Sequence, residues 1–366
     1  MSKKVNPPDY VFLVLVGILL VFGLIVLASA SAVFSYERFG SSFYLTKHQL
    51  WFGVLPGLLL GFIALRIPYT FWRKIAPLLY MATLLLLLLV IIPGVGSKFG
   101  GARSWFTVGS LSFQPSEIAK LTLVLYLAAW FEKRGDNLFD FRGAFVPFTV
   151  IVGIVALFVV LQPDVGTLSI IGAIALAVGF IGGLHWRHLT GAVVAGFGLL
   201  VLLIKVAPYR AARLTSFINP ELDPQGIGYH INQALLAVGS GGWFGVGFGH
   251  SRQKFRYLPE VTGDSIFPIL AEEMGFFVSA AFLILTVAIL WRMFRIAGGT
   301  PDTFSKLTVL GIGAWFGIQS FVNIGSMLGI LPLTGLPLPF VSYGGTALLS
   351  GLVAVGIVGS ISRHAK

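Results

Sequence analysis

Cysteine is absent from this chain, which removes disulfides, thiolate nucleophiles and cysteine-based metal sites. Charge is nearly as scarce. Only 11% of the 366 residues are Asp, Glu, Lys or Arg, against roughly 25% in soluble domains, so the chain lacks the polar surface needed to sit in water. What remains is apolar. With 56% hydrophobic residues and a mean hydropathy of +0.91, its solvent is expected to be the lipid bilayer. The formal net charge of +11 does not mark a nucleic-acid binder, because the basic residues are scattered between apolar runs rather than clustered. The positive-inside bias of membrane proteins accounts for them. No cleavable signal peptide is expected, since the first apolar run, 10–34, exceeds the ~7–15 residues of a signal h-region and reads as a first spanning helix.

About 20 mostly apolar residues cross a bilayer. Ten segments qualify or nearly qualify: 10–34, 47–65, 75–93, 116–131, 144–161, 165–184, 188–207, 267–291, 305–330 and 338–361. The sequence therefore predicts an all-α polytopic membrane protein, a single domain over 1–366 with about ten transmembrane helices. With the N-terminus in the cytoplasm, the inner connections hold most of the Lys and Arg. The short outer loops hold only Arg38, Lys47, Lys98 and Arg103, so both termini are expected inside. The longest connection, 208–266 between the seventh and eighth segments, then faces outward. Connections beyond about 12–15 residues are usually functional or disordered. This one carries Tyr229, Trp243, Phe244 and Phe248, an amphipathic stretch at 230–238 and a Gly-rich run at 239–249. It is expected to be ordered, lying on the membrane surface or folded back over the bundle. No repeat of fixed period divides the chain.

Ionisable residues in or beside a membrane are functional candidates by default. Asp264 lies where the long outer loop enters the eighth segment. A carboxylate there can meet a polar head group while the tail stays in lipid, and a helix N-terminus favours its ionised form. The plainer reading is a helix cap; spacing alone leaves both open. Glu117 and Lys120, at i and i+3, share a helix face, either as a structural ion pair or as a polar cavity whose Lys recognises phosphate. Glu272 and Glu273 follow two turns beyond Asp264, and at least one must avoid lipid. Asp164, beside the helix-breaking Pro163, reads first as structural. Arg103, among aromatics in an outer loop, suits a diphosphate through its planar fork of donors. Arg210, Arg213, Lys254 and Arg256 would extend an outward basic rim, although each alone reads as a solvated or headgroup-level charge. The six His form no pair with a carboxylate at metal spacing, so no metal site is expected. The glycines at 239–249 follow an amphipathic stretch rather than a strand, so they make no phosphate loop.

A set of motifs runs through the chain in order: Gly101-Ala-Arg-Ser-Trp-Phe106, Gln114-Pro-Ser-Glu-Ile-Ala-Lys120, Gln162-Pro-Asp-Val-Gly-Thr167, Leu258-Pro-Glu260 with Asp264, Ala271-Glu-Glu-Met-Gly275 and Gly335-Leu-Pro-Leu-Pro-Phe-Val-Ser-Tyr-Gly-Gly345. With these the sequence closely resembles the SEDS family of bacterial cell-wall proteins (FtsW/RodA/SpoVE) from its first helix to its last. The stretch 245–254 looks more like the division branch, FtsW, than the elongation branch, RodA. The resemblance implies a peptidoglycan glycosyltransferase in the cytoplasmic membrane that polymerises lipid II on the outer face. It also implies a class B penicillin-binding transpeptidase as partner, alongside other division or elongation membrane proteins. The family's essential aspartate falls on Asp264. The family usually reads His-Thr-Asp-Phe-Ile-Phe here, whereas this chain reads Thr262-Gly-Asp-Ser-Ile-Phe267. The donor's α bond and the polymer's β-1,4 bond require one inversion, so Asp264 would act as general base in a single displacement. Arg103, Lys120, Arg210 and Arg213 are the candidates for holding the departing diphosphate. No cofactor is required, and a divalent cation (Mg or Mn) is the one addition that diphosphate chemistry would accommodate. The rival reading is a transporter or flippase for a lipid-linked precursor, and a third is a scaffold.

Overall fold

A computed structural model describes residues 6–99, 102–135, 138, 140–206, 217 and 226–365. Each of the ten apolar segments contains a helix. α1, Tyr10–Phe39, starts where Asp9 accepts the Phe12 N–H at 2.9 Å and stops at Gly40, whose φ of 71° suits glycine. α2, Tyr44–Arg66, carries a π-helical turn at Leu50–Val54, just ahead of Pro56, which has no N–H for the regular ladder. There follow α3 (Tyr69–Ile91), α4 (Pro115–Arg134), α5 (Phe141–Leu161), α6 (Val165–Ile181) and α7 (Trp186–Val206). The long connection holds α8 (Ile227–Ser240), which contains the amphipathic stretch, and the chain ends with α9 (Ile266–Gly298), α10 (Thr303–Met327) and α11 (Gly345–Ser362).

Eight of the described helices are long and apolar enough to cross a membrane, and the chain is a multi-pass membrane protein. Of the remaining two in apolar segments, α6 has 17 residues and α4 carries charge at both ends. α10 and α11 are the most enclosed spans. α2 meets α11 through Gly53, Gly57 and Gly61, four residues apart on one face. A Cβ at Gly57 would come within 2.7 Å of Leu352 Cδ1, and one at Gly61 within 2.7 Å of Leu352 O. A Cβ at Gly356 would run into Gly61 O. With no hydrophobic drive between helices in lipid, such backbone-close packing supplies the attraction.

The all-helical expectation needs an amendment. Three short strands, β1 (Ser97–Phe99), β2 (Ala102–Val108) and β3 (Leu111–Phe113), form an antiparallel sheet with β2 central. β2 and β3 pair Phe106 with Phe113, Thr107 with Ser112 and Val108 with Leu111, and Gly109, at φ 61°, turns the chain between them. Trp105-Phe-Thr-Val108 favours a pleated, half-buried surface. The last segment also starts later than expected, at Gly345 rather than 338, because Pro337 and Pro339 cannot donate into a helix. Residues 328–344 thus form a non-helical crossing between α10 and α11.

The longest helix is interrupted. Within α9, Gly275 adopts φ 74° and ψ −172°, a conformation essentially reserved for glycine. The chain at 241–247 lies in the break. Val246 and Gly247 donate their N–H groups to Glu272 O at 2.9 Å and Glu273 O at 3.0 Å, and Phe276 and Phe277 donate to Gly242 O at 2.9 Å and Trp243 O at 3.3 Å. Irregular backbone persists in a membrane protein only where other protein satisfies it, and here the outer loop does so.

Candidate functional site

The crossing 328–344 gathers the polar residues. Beside it the chain at 258–264 makes a tight turn, in which Glu260 O accepts from Gly263 N at 2.9 Å and Ser265 N at 3.3 Å. The crossing clasps that turn. Tyr343 N donates to Thr262 O at 2.8 Å, and Ser342 Oγ donates to Gly263 O at 2.5 Å. Asn323 Nδ2, from α10, donates to both Asp264 O at 2.8 Å and Leu336 O at 2.7 Å. Asp264 ends this turn, 8% exposed, with Oδ2 against Gly335 and Oδ1 accepting from Ser265 Oγ at 3.3 Å. The residue at the N-cap of α9 is Ser265, not Asp264, so capping does not account for this buried carboxylate. His230, on α8, brings Nε2 to 2.6 Å from Ser265 Oγ.

One residue further along the crossing stands a second cluster. Gln319 donates Nε2 to Pro337 O at 2.8 Å, while its Oε1 accepts from Lys120 Nζ and from Trp315 Nε1, each at 2.8 Å. Lys120 Nζ also lies 2.7 Å from Glu117 Oε1, and the two side chains are 0% and 2% exposed. The ammonium sits 5.2 Å from the centre of the Trp315 ring, a cation–π contact strengthened by burial. Glu117 Oε2 meets no partner among the described residues, and Glu117 lines a cavity of about 20 Å³ with Gln319, Pro337 and Ser342, the size of a single water site. Lys120, a candidate for holding diphosphate, is thus turned inward as part of the wall rather than offered to a ligand from outside.

Asp164 caps α6, accepting from Thr167 N at 3.0 Å and Thr167 Oγ1 at 2.8 Å, with Gln114 Nε2 at 3.4 Å. Arg103 stands on β2 with Nη1 3.4 Å from Ile91 O. Arg210 and Arg213 lie outside the described residues. Glu272 and Glu273 are both buried, and both turn to the loop that fills the α9 break. Glu272 accepts from Ser251 Oγ and from Arg252 N at 3.0 Å. Glu273 accepts from Ser29 Oγ at 2.7 Å and Lys254 Nζ at 2.8 Å. That moves Lys254 out of the expected outward rim, since desolvation drives it to pair with Glu273, whereas Arg256 is exposed and paired with Glu37 at 2.5 Å. Tyr343 hydrogen-bonds His48 Nδ1 at 2.9 Å, and burial, with Tyr44 adding to it, pushes its phenol up to about 12.

Sequence reasoning passed over Gln319 and Asn323. Trp315, Gln319 and Asn323 recur every fourth residue, one face of α10, and two amides on one face of an apolar span are the signal that could have found them. His230, Ser265 and Ser29 gave no such sign.

Comparison with known proteins bears on the whole chain. Residues 10–366 match the family model FTSW_RODA_SPOVE, described as cell cycle protein. Stage V sporulation protein E of Bacillus subtilis is 41% identical over 100% of both chains. A probable peptidoglycan glycosyltransferase FtsW of Geobacter sp. is 34% identical over 100% of this chain and 99% of its own. Among solved structures, a chain from a peptidoglycan synthase complex that coordinates polymerization and crosslinking superposes with TM-score 0.79 at 31% identity, covering 97% of this chain and 98% of that one. RodA, the rod shape determining protein of Thermus thermophilus, superposes with TM-score 0.72 at 31% identity over 97% of each.

Proposed function

The chain belongs to the FtsW/RodA/SpoVE (SEDS) family and is a peptidoglycan glycosyltransferase, and from that premise we propose that it polymerises lipid II on the outer face of the bacterial cytoplasmic membrane with Asp264 as general base. The observation that carries this reading is the setting of Asp264: a carboxylate only 8% exposed, outside the N-cap role, in a turn whose backbone carbonyls accept from Asn323, Ser342 and Tyr343. In the displacement Asp264 takes the proton of the acceptor's 4-hydroxyl as that oxygen attacks the donor's anomeric carbon. The bond to the diphosphate breaks, and its electron pair leaves with the diphosphate. Arg103, Arg210 and Arg213 are assigned to the charge developing there. Glu117 and Lys120, already paired, shape the wall and hold the crossing through Gln319. Among the described residues no group of three or more His, Asp or Glu side chains could hold a metal ion. No step is routed through a divalent cation.

A class B transpeptidase is the proposed partner. Support comes from the likeness to a chain of a complex that couples polymerization with crosslinking. The sporulation and FtsW relatives, at 41% and 34% identity against 31% for RodA, support the division side of the family. The name of the FtsW relative, a probable peptidoglycan glycosyltransferase, favours a polymerase over a transporter.

Asp264→Asn tests the mechanism. It preserves volume and hydrogen-bonding reach but cannot take a proton. Glycan-strand formation from lipid II should fall by about 10²-fold or more, with the melting temperature in the same detergent unchanged. Near-normal polymerisation by the folded variant would overturn the role of Asp264.

A further inference from the structure

The contact between the outer-loop helix and the α9 entrance plays no part in the displacement as written, yet it reaches the proposed base. α8 packs on α9 and brings His230 to Ser265. Ser265 is fully buried, and its Oγ lies 3.3 Å from Asp264 Oδ1 and 2.6 Å from His230 Nε2.

A serine hydroxyl carries one hydrogen, and an ionised carboxylate only accepts. With Asp264 ionised, as a base must be before it acts, the hydrogen of Ser265 has to serve Oδ1. Ser265 Oγ can then meet His230 only as an acceptor, so the imidazole hydrogen must be on Nε2. The direction of both hydrogen bonds follows from counting hydrogens.

We infer that His230 is a positioning residue for Asp264: donating from Nε2, it fixes the Ser265 hydroxyl onto Oδ1 and so holds the carboxylate ionised and oriented. The inference rests on the reading of Asp264 as the base. Hydrogen bonds to the charged form favour that form, and a buried hydroxyl free to rotate would not supply one steadily. The consequence is that the base is complete only when α8 is docked. The placement of the outer loop therefore governs the rate of the chemical step rather than the affinity for substrate.

The test uses the full-length purified protein, lipid II as substrate and glycan-strand formation as the rate. His230→Ala and Ser265→Ala should each lower kcat by about 10–100-fold, the range expected for losing one hydrogen bond to a charge, with KM little changed. The double variant should be no worse than either single one, because both remove the same relay. His230→Gln keeps a donor and should stay close to wild type. His230→Glu has nearly the same shape but only accepts when ionised; it would turn the Ser265 hydrogen away and should fall at least as far as Ala.

Equal rates for the Gln and Glu variants, additive losses in the double variant, or a loss confined to KM would overturn the inference. If His230→Ala does not fold, the Gln and Glu pair and Ser265→Ala decide it on the same terms. Asp264→Asn is measured alongside. An active Asn variant removes the base reading and this inference with it. An inactive Asn variant beside a fully active His230→Ala removes this inference alone.

Discussion

Replacing Lys120 with Met removes an ammonium that is completely enclosed. Glu117, itself 2% exposed, would lose the partner of Oε1, while Oε2 has none among the described residues. Breaking a buried pair by deleting one member costs about 3–5 kcal/mol, because the remaining charge stays desolvated. Gln319 is the smaller casualty. Its Oε1 still receives Trp315 Nε1 at 2.8 Å and its Nε2 still reaches Pro337 O at 2.8 Å. The loss should therefore come from Glu117, and removing that charge too should reverse it. Glu117→Gln with Lys120→Met keeps volume and leaves no ion, so it should return to within about 1–2 kcal/mol of the parent. Reversible denaturant unfolding in a fixed detergent reads all three stabilities. A Lys120→Met loss below about 1 kcal/mol, or a double variant no better than the single one, would refute the reasoning.

Gly275→Ala should be destabilising by at least about 1–3 kcal/mol, the strain of its φ and ψ, because the added Cβ also meets Gly245 N. It should expose the chain at 241–254 to protease, and an unchanged melting temperature with an intact loop would contradict this. The absence of cysteine allows a clean topology test. Cysteine at Ser110, on the exposed β2–β3 turn, should react with an impermeant thiol reagent from outside, and cysteine at Lys306 only after permeabilisation; labelling of both from the same side would reverse the assigned orientation.

The spans were legible because a bilayer asks for little more than length and apolarity, and each apolar run holds a helix. The sheet of β1, β2 and β3 was not, since three short strands carry too little periodicity to stand out between two long helices. The α9 break was hidden for a related reason. One glycine in an apolar run reads as tolerated, and only the loop packed into the gap shows that the helix stops there. Asp264 could be singled out as an ionisable residue at a loop–helix junction, but its clasp could not, because Asn323, Ser342 and Tyr343 come from 59 or more residues away in the chain. Lys254 was misread as a rim charge for the same reason: its partners Glu273 and Ser29 are supplied by folding.

The clamp on Glu273 also joins stretches of chain at very different separations. Lys254 reaches it across 19 residues and Ser251 across 22, whereas Ser29 comes from 244 residues away. Short closures lose less chain entropy and form sooner. On loop-closure grounds Glu273 should therefore meet Lys254 and Ser251 before it meets Ser29 of α1. A bare carboxylate is costly in lipid, whereas Glu273 matched with Lys254 forms a neutral unit. The outer loop thus supplies the counter-ion for a carboxylate on the very helix that follows it.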